Sequence, residues 1–108
     1  AGEFRGGLAV RRDVRFLGQR AVLQIRSDRA RIKPWGLNGG AEGVNSCNTL
    51  FTADGALQEL PSKIVLDIAT GAMWRHTTAS GGGWGLAADR SEQAIARDLR
   101  DGKTLKGG

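Results

Sequence analysis

Between residues 80 and 85 the chain reads Ser80-Gly81-Gly82-Gly83-Trp84-Gly85, and a second stretch, Lys33 to Asn48, carries Gly36, Gly39, Gly40 and Gly43. Glycine gives up more backbone freedom on ordering than any other residue. Runs of it weaken helices and strands and suit turns with positive φ or places where backbone must approach something closely. With 17 glycines among 108 residues, the regular elements of this chain have to fit between glycine-rich loops.

The rest of the composition is that of a globular protein: 40% of the residues are apolar and 25% charged, which argues against wholesale disorder. The length suits one domain, so we read residues 1–108 as a single domain. The chain opens on Ala1, and Phe4 to Phe16 has the character of interior sequence rather than of a leader, which leads us to expect a fragment. No apolar run is long enough for a membrane-spanning helix. Cys47 is the only cysteine, which excludes an intrachain disulfide and a cysteine-based zinc site and fits a reducing cytoplasm.

The net charge of +5 is spread along the chain. Its densest cluster, Arg26, Arg29, Arg31 and Lys33, surrounds an expected turn and has no Tyr or Phe interleaved for base stacking. That pattern reads as a solvated basic face, or one that docks on an acidic partner, rather than as a nucleic-acid surface.

Alternation of apolar and polar residues predicts strands over Leu8 to Phe16 and over Ala21 to Ile25, joined through Gly18-Gln19 as a hairpin. Arg12 falls on the apolar face of the first strand, where its guanidinium must reach a carboxylate, a carbonyl or a ligand, or else snorkel to water. Lys33 to Asn48 predicts a long irregular loop, with Trp35 anchoring it by burying its ring. Thr49 to Ala53 and Ala56 to Leu60 flank Asp54-Gly55, a hairpin signal in which both turn residues want positive φ. Strands are further expected over Ile64 to Ile68 and Met73 to Thr78, with Thr70-Gly71 turning between them. Ser91 suits the N-cap of a helix with Ala94, Ile95 and Leu99 on one side and Gly102 past its end, and Lys103 to Gly108 reads as a tail. The fold class is therefore mainly β (α+β): antiparallel hairpins and sheet, long glycine-rich loops and one short C-terminal helix.

Glycine-rich turns can cradle anions on successive backbone N–H groups, but Ser80 to Gly85 lacks the Lys-Ser or Lys-Thr of a Walker loop, does not follow GxGxxG spacing, and precedes its helix by about six residues. It reads better as a loop that lets backbone approach a substrate or a partner subunit. His76 has no second histidine or carboxylate at metal-ligand spacing, though a histidine is the most adaptable proton carrier near neutral pH. Cys47 is either a nucleophile or an inert thiol. Ser62-Lys63 places an ammonium beside a hydroxyl, suited to an oxyanion or carboxylate, or is an exposed turn.

The order of six segments carries a resemblance. Gly6-Gly7-Leu8-Ala9-Val10-Arg11-Arg12-Asp13, Ser27-Asp28-Arg29, Pro34-Trp35-Gly36-Leu37-Asn38-Gly39-Gly40, Leu60-Pro61-Ser62-Lys63, Thr78 to Gly85, and Ala96-Arg97-Asp98-Leu99-Arg100-Asp101-Gly102 together resemble the closing part of the hydantoinase B/oxoprolinase family. The resemblance implies a C-terminal fragment of a B-type subunit of an ATP-dependent amidohydrolase that opens hydantoins or 5-oxoproline. It also implies an A-type partner subunit that binds ATP, the remainder of the B-type subunit as a second partner, and a small-molecule substrate. Related subunits belong to acetone and acetophenone carboxylases, so ATP-dependent ketone carboxylation is a second expectation, and a non-catalytic docking module is a third. Metal use stays open.

On this resemblance Arg12, Arg29 and Lys63 are expected to be catalytic, and Asp28 and Ser62 to bind substrate. Gly39, Gly40, Gly81, Gly82 and Gly83 are expected to supply backbone donors or room, with Trp35 and Trp84 as pocket walls. The family's glycine run is commonly followed by Asp-Pro, whereas Leu86-Ala87 stand here, with Asp89 as a candidate stand-in.

Overall fold

The structure, a computed structural model, describes residues 1–104; the expected tail lies, beyond Thr104, outside the described residues. Six strands form, β1 Arg11–Arg15, β2 Arg20–Arg26, β3 Cys47–Phe51, β4 Leu57–Leu60, β5 Lys63–Ala69 and β6 Met73–Thr77, followed by a 3-10 turn Ala87–Asp89 and the helix α1 Glu92–Arg100. The architecture is mainly antiparallel sheet with one short helix, as the periodicities predict. The chain groups into two compact units, one built from Ala1–Ala9, Lys33–Val44 and the residues from Ser80 onward, the other from Val10–Ile32 and Asn45–Ala79.

In the second unit the strands form a four-stranded sheet of order β1-β6-β3-β4 and a separate pair, β2-β5. The expected hairpin between the first two strands does not form: β1 pairs with β6 and β2 pairs with β5, all antiparallel. The two pairings are one long double strand bent at a corner. Arg15 faces Met73 and Arg20 faces Ala69, so four residues, Phe16 to Gln19, stand opposite three, Thr70 to Ala72. An extra residue on one strand bends and twists it, which is how a strand passes from one sheet to another. The corner is stitched by Phe16 N–H to Ala72 O at 2.9 Å, Gly71 N–H to Phe16 O at 2.8 Å and Thr70 Oγ1 to Gly18 O at 2.6 Å. Gly71 takes φ 85 there, a conformation that only glycine adopts cheaply.

The bend brings the apolar faces of the two sheets together. Leu23, Ile25 and Ile68 from β2 and β5 and Leu50 and Leu60 from β3 and β4 are buried with Ala72, and Phe16, Ala21, Ile64, Leu66 and Trp74 pack against them. Alternation in β5, with Ile64, Leu66 and Ile68 inward and Val65 and Asp67 exposed, follows the period-2 reading. The β3–β4 hairpin forms at Asp54-Gly55, but its turn differs from the expected one. Thr52 N–H bonds to Ala56 O at 2.9 Å across a three-residue loop, and only Gly55 has positive φ, at 92. This is a turn closed by a glycine bulge rather than a two-residue turn with both angles positive.

The first unit contains little regular structure and is held by backbone. The amides of Ser80, Gly81, Gly83, Trp84 and Gly85 donate to the carbonyls of Val44, Gly7, Ala41, Phe4 and Leu37, at 2.9 to 3.1 Å. The run therefore lies between the N-terminal segment and the 33–44 segment and bonds to both. Backbone lies directly against glycine Cα atoms: a Cβ on Gly82 would overlap the Trp35 carbonyl, and one on Gly83 the Ala1 carbonyl. The expected burial of the Trp35 ring does not occur; the residue keeps 66% of its surface exposed, and these backbone contacts anchor the loop instead. Within that loop Asn38 and Gly39 both take positive φ and Gly40 N–H returns to Leu37 O at 2.9 Å, a tight turn of the kind that Asn-Gly favours.

Helix α1 begins at Ser91, whose side chain accepts the Ala94 N–H at 3.2 Å. It ends with Gly102 at φ 70, Gly102 N–H on Leu99 O at 3.2 Å and Lys103 N–H on Asp98 O at 2.9 Å, which caps the last carbonyls. Ala94 and Ile95 are half-buried, but Leu99 is exposed and the helix residue buried most deeply is Asp98. Its carboxylate takes Arg90 Nη2 at 2.7 Å and Arg5 Nε at 3.3 Å, while Arg90 Nη1 also donates to Glu3 O at 2.9 Å. Helix and N-terminal segment are thereby fixed to each other through one charge.

Alanine at position 82 has no space to enter, whereas Gly7 has open space around its Cα and negative φ. We expect Gly82→Ala to destabilise the fold by more than about 3 kcal/mol and Gly7→Ala to lie within about 1 kcal/mol of the parent, measured by urea unfolding. Burial of the Asp98 carboxyl opposes its ionisation, but the hydrogen bonds and charges of Arg90 and Arg5 outweigh that effect and lower its pKa. A lowered folded-state pKa gives stability that is complete above the unfolded value and lost as pH falls through the folded one. Thermal melts should thus show an acid limb below about pH 4 that Asp98→Asn flattens, at the expense of a lower melting temperature at pH 7.

Candidate functional site

The structure brings four of the expected site residues together in the second unit. Asp28, Arg29, Ser62 and Lys63 line one open cleft of about 490 Å³ with Ser27, Ala30, Arg31 and Ile32. One wall is the loop between β2 and β3, and the other is the start of β5. The loop is pinned carbonyl by carbonyl: Asp28 O accepts Ser46 Oγ at 2.5 Å, Arg29 O accepts Ser46 N–H at 2.9 Å and Ala30 O accepts Asn45 Nδ2 at 2.9 Å. Ser27 N–H bonds to Ser62 O at 2.8 Å and ties the loop to the other wall.

Arg29 is held at φ 60, a left-handed conformation that costs an ordinary residue about 1 kcal/mol or more. The three consecutive anchors around it sustain that conformation, an arrangement typical of sites where a side chain must be aimed. Arg29, Arg31 and Lys63 set three cations against the single carboxylate of Asp28, so the cleft favours an anion or a carbonyl oxygen that is gaining charge. A narrower groove of about 320 Å³ continues from it, sharing Ala30, Arg31 and Ser62 and adding Ser46, Cys47, Asn48 and Glu59. Cys47 is exposed on this groove.

Arg12 lies elsewhere in the same unit. It sits on the edge strand β1, in register with His76, and its exposed side chain has no hydrogen-bond or ion-pair partner among the described residues. Of the alternatives for an arginine on an apolar face, it takes the one that reaches water. Its neighbours Asp13 and Arg75 point to the opposite face, where Arg75 Nε meets Asp13 Oδ1 at 2.8 Å and lowers the Asp13 pKa through that hydrogen bond.

Sequence reasoning gave no partner to His76, and the structure supplies one. Asn48, only 3% exposed, accepts Trp74 Nε1–H at 3.1 Å and meets His76 Nδ1 at 2.8 Å through the same Oδ1, and its Nδ2 donates to Ser27 Oγ at 3.2 Å. The Trp74 and His76 rings stack at 5.6 Å between centroids, with 22° between planes. The residues of this network were visible as types, but strand register alone places them on one face.

The remaining expected residues belong to the first unit. Trp84 is 42% exposed, its ring 5.6 Å from that of Phe4. The Gly40, Gly81 and Gly83 amides are bonded to carbonyls of the chain itself, which removes them as donors to a bound anion; the absence of Cβ at these positions accommodates neighbouring backbone. Gly39 holds the turn after Asn38, Gly82 lies against the Trp35 carbonyl, and Asp89 is exposed at the end of the 3-10 turn. Among the described residues no group of His, Cys, Asp and Glu could hold a metal ion, and no helix is long and apolar enough to cross a membrane.

Comparisons with known proteins agree with the resemblance seen in the segment order. The family model described as hydantoinase B/oxoprolinase matches residues 1–87. An uncharacterized protein of Methanocaldococcus jannaschii is 36% identical over 95% of this chain and 18% of its own length. A putative D-/L-hydantoinase B subunit of Pseudomonas sp. is 30% identical over 97% of this chain and 18% of its own length, and 5-oxoprolinase 1 of Arabidopsis thaliana is 33% identical over 78% and 7%. The chain thus spans less than a fifth of each of these relatives. No solved structure matches. By the match over most of its length, the chain belongs to the hydantoinase B/oxoprolinase family.

Proposed function

We propose that this chain is the C-terminal part of a B-type subunit of a cytoplasmic, ATP-dependent amidohydrolase that opens cyclic amides of the hydantoin or 5-oxoproline type. Family membership supports the reaction class, and the Pseudomonas relative, named as one subunit of a hydantoinase, supports a multi-subunit enzyme. The observation that carries the site assignment is the pinned cationic cleft of Asp28, Arg29, Ser62 and Lys63.

Opening a cyclic amide puts negative charge on the carbonyl oxygen as a nucleophile adds. Cations and donors fixed in advance stabilise that charge without rearranging during the reaction. Lys63 and Arg29 supply the positive charge, the Ser62 hydroxyl a rotatable donor, and the Asp28 carboxylate an acceptor for a ring N–H. Activation of the carbonyl with ATP falls to the A-type partner subunit; the engaged amides of Gly81 and Gly83 fit a chain that does not itself cradle the nucleotide.

In the assembled full-length complex, Lys63→Ala should lower kcat/KM for ATP-coupled ring opening by about 10²-fold while assembly stays intact. Co-purification of the subunits and steady-state turnover are measured on the same preparations. Weakened co-purification with an unchanged turnover number in whatever complex assembles would overturn the substrate role and make this face a docking surface.

A further inference from the structure

The first unit has no apolar core of its own. Its buried residues are Gly2, Gly43, Gly83, Gly85 and Asp98, and among the described residues not one of its large apolar side chains is buried. Burial of apolar surface is the main term that offsets the entropy lost on ordering a chain, and a unit that buries glycine leaves most of that term unused. The unused surface is gathered in one place. Phe4 and Trp84 exchange both backbone bonds, Phe4 N–H to Trp84 O at 3.0 Å and Trp84 N–H to Phe4 O at 2.9 Å. On the other side of Trp84, Leu37 N–H bonds to Gly83 O and Gly85 N–H to Leu37 O, both at 2.9 Å.

Residues directly opposite one another in such a ladder turn their side chains to the same face. Phe4, Trp84 and Leu37 therefore stand in a row across three backbone segments, with the two aromatic rings 5.6 Å apart between centroids. Phe4 is 60%, Trp84 42% and Leu37 57% exposed. Leu86, 55% exposed, lies against Gly39 in the turn that follows Leu37: a Cβ on that glycine would come within 2.7 Å of Leu86 Cδ2. Single exposed apolar residues are ordinary, but a contiguous row with two aromatic rings marks a surface that something covers.

Two observations identify the occupant. The row carries no charged side chain, and the cations next along the chain, Arg5 and Arg90, are already held by the Asp98 carboxylate at 3.3 and 2.7 Å. An acidic partner finds no cation to pair with in the row, and the surface has the character of a permanent interface, which resembles a core cut in two. The second observation is length. The matched region is 18% of both the Methanocaldococcus jannaschii protein and the Pseudomonas subunit, so more than four fifths of each lies outside it. A separately folded subunit would have to leave this row in water until it assembled, whereas the rest of the same chain covers it as the subunit folds.

We propose that the row of Phe4, Trp84 and Leu37, with Leu86 beside it, is the surface on which the remainder of the B-type subunit's own chain docks through apolar side chains; the proposal rests on the reading of this chain as part of that subunit. Hydroxyl-radical oxidation of the full-length B-type subunit, purified without its A-type partner, tests it, each rate being taken relative to the same residue in the unfolded subunit. Phe4 and Trp84 should be slowed as much as the buried Leu50. Oxidation slowed no more than their 60% and 42% exposure implies would overturn the proposal. Protection that appears only when the A-type subunit is added, or that grows with the concentration of the B-type subunit, would overturn it as well, giving the surface to the A-type partner in one case and to a second copy in the other. Phe4→Ser, which leaves the backbone bonds of the row in place, should lower the melting temperature of the full-length subunit by several degrees; an unchanged melting temperature would count against docking here. Ring-opening turnover, measured after the A-type subunit is added to the same preparation, tests the amidohydrolase reading separately: freely oxidised rings in a subunit that still supports ring opening overturn the docking proposal alone.

Discussion

Backbone N–H and C=O groups outside helices and sheets still need partners, and in the first unit this requirement organises everything else. The run from Ser80 to Gly85 has almost no side chains with which to build a core. Its amides instead find carbonyls one at a time on two flanking segments. Such bonds form only if backbones approach closely, and close approach is possible only where no Cβ intervenes. The glycines are therefore there to let backbone meet backbone. A feature that in isolation invites comparison with a phosphate loop becomes a structural seam, because the groups that would bind phosphate are already engaged.

The second unit solves the same problem by ordinary strand pairing, and its site follows from how that pairing is bent. A single extra residue at the Phe16–Gln19 corner folds one long double strand onto itself and closes the core between two sheets. The loop after β2 and the entry to β5 lie side by side because β2 and β5 are paired in register from Arg20 opposite Ala69 to Arg26 opposite Lys63. Cationic side chains far apart in sequence, Arg29 and Lys63, thereby share a cleft. Ser46 and Asn45 hold the loop rigid, and Asn48 extends the polar contacts to His76. Strand register thus sets which side chains share the cleft, while the glycine seam shapes the other unit.

The sequence made the strands, the helix and the family legible for reasons that are local. Period-2 alternation over Ile64 to Ile68 reports which face is buried, Ser91 and Gly102 report where a helix starts and stops, and collinear motifs report ancestry. Alternation does not report which strand is the partner, and so a short connection through Gly18 suggested a hairpin where the chain turns a corner between sheets. Asn38-Gly39 was a turn signal inside a stretch that otherwise lacked periodicity. The burial of Asp98 has no local signal, because the two arginines that pair with it, Arg5 and Arg90, lie outside the helix. The grouping of Asp28, Arg29, Ser62 and Lys63 was legible through resemblance, whereas the Asn48 network needs strand register, which one sequence does not contain.

The glycine run is closed by backbone partners rather than open to an anion. Amide hydrogen exchange at Gly81, Gly83 and Gly85 measures this directly, with and without added ATP or inorganic phosphate. Slow exchange at all three, unchanged by either anion, is the predicted result. Exchange as fast as in an open loop, or protection that appears only when phosphate or ATP is added, would contradict it.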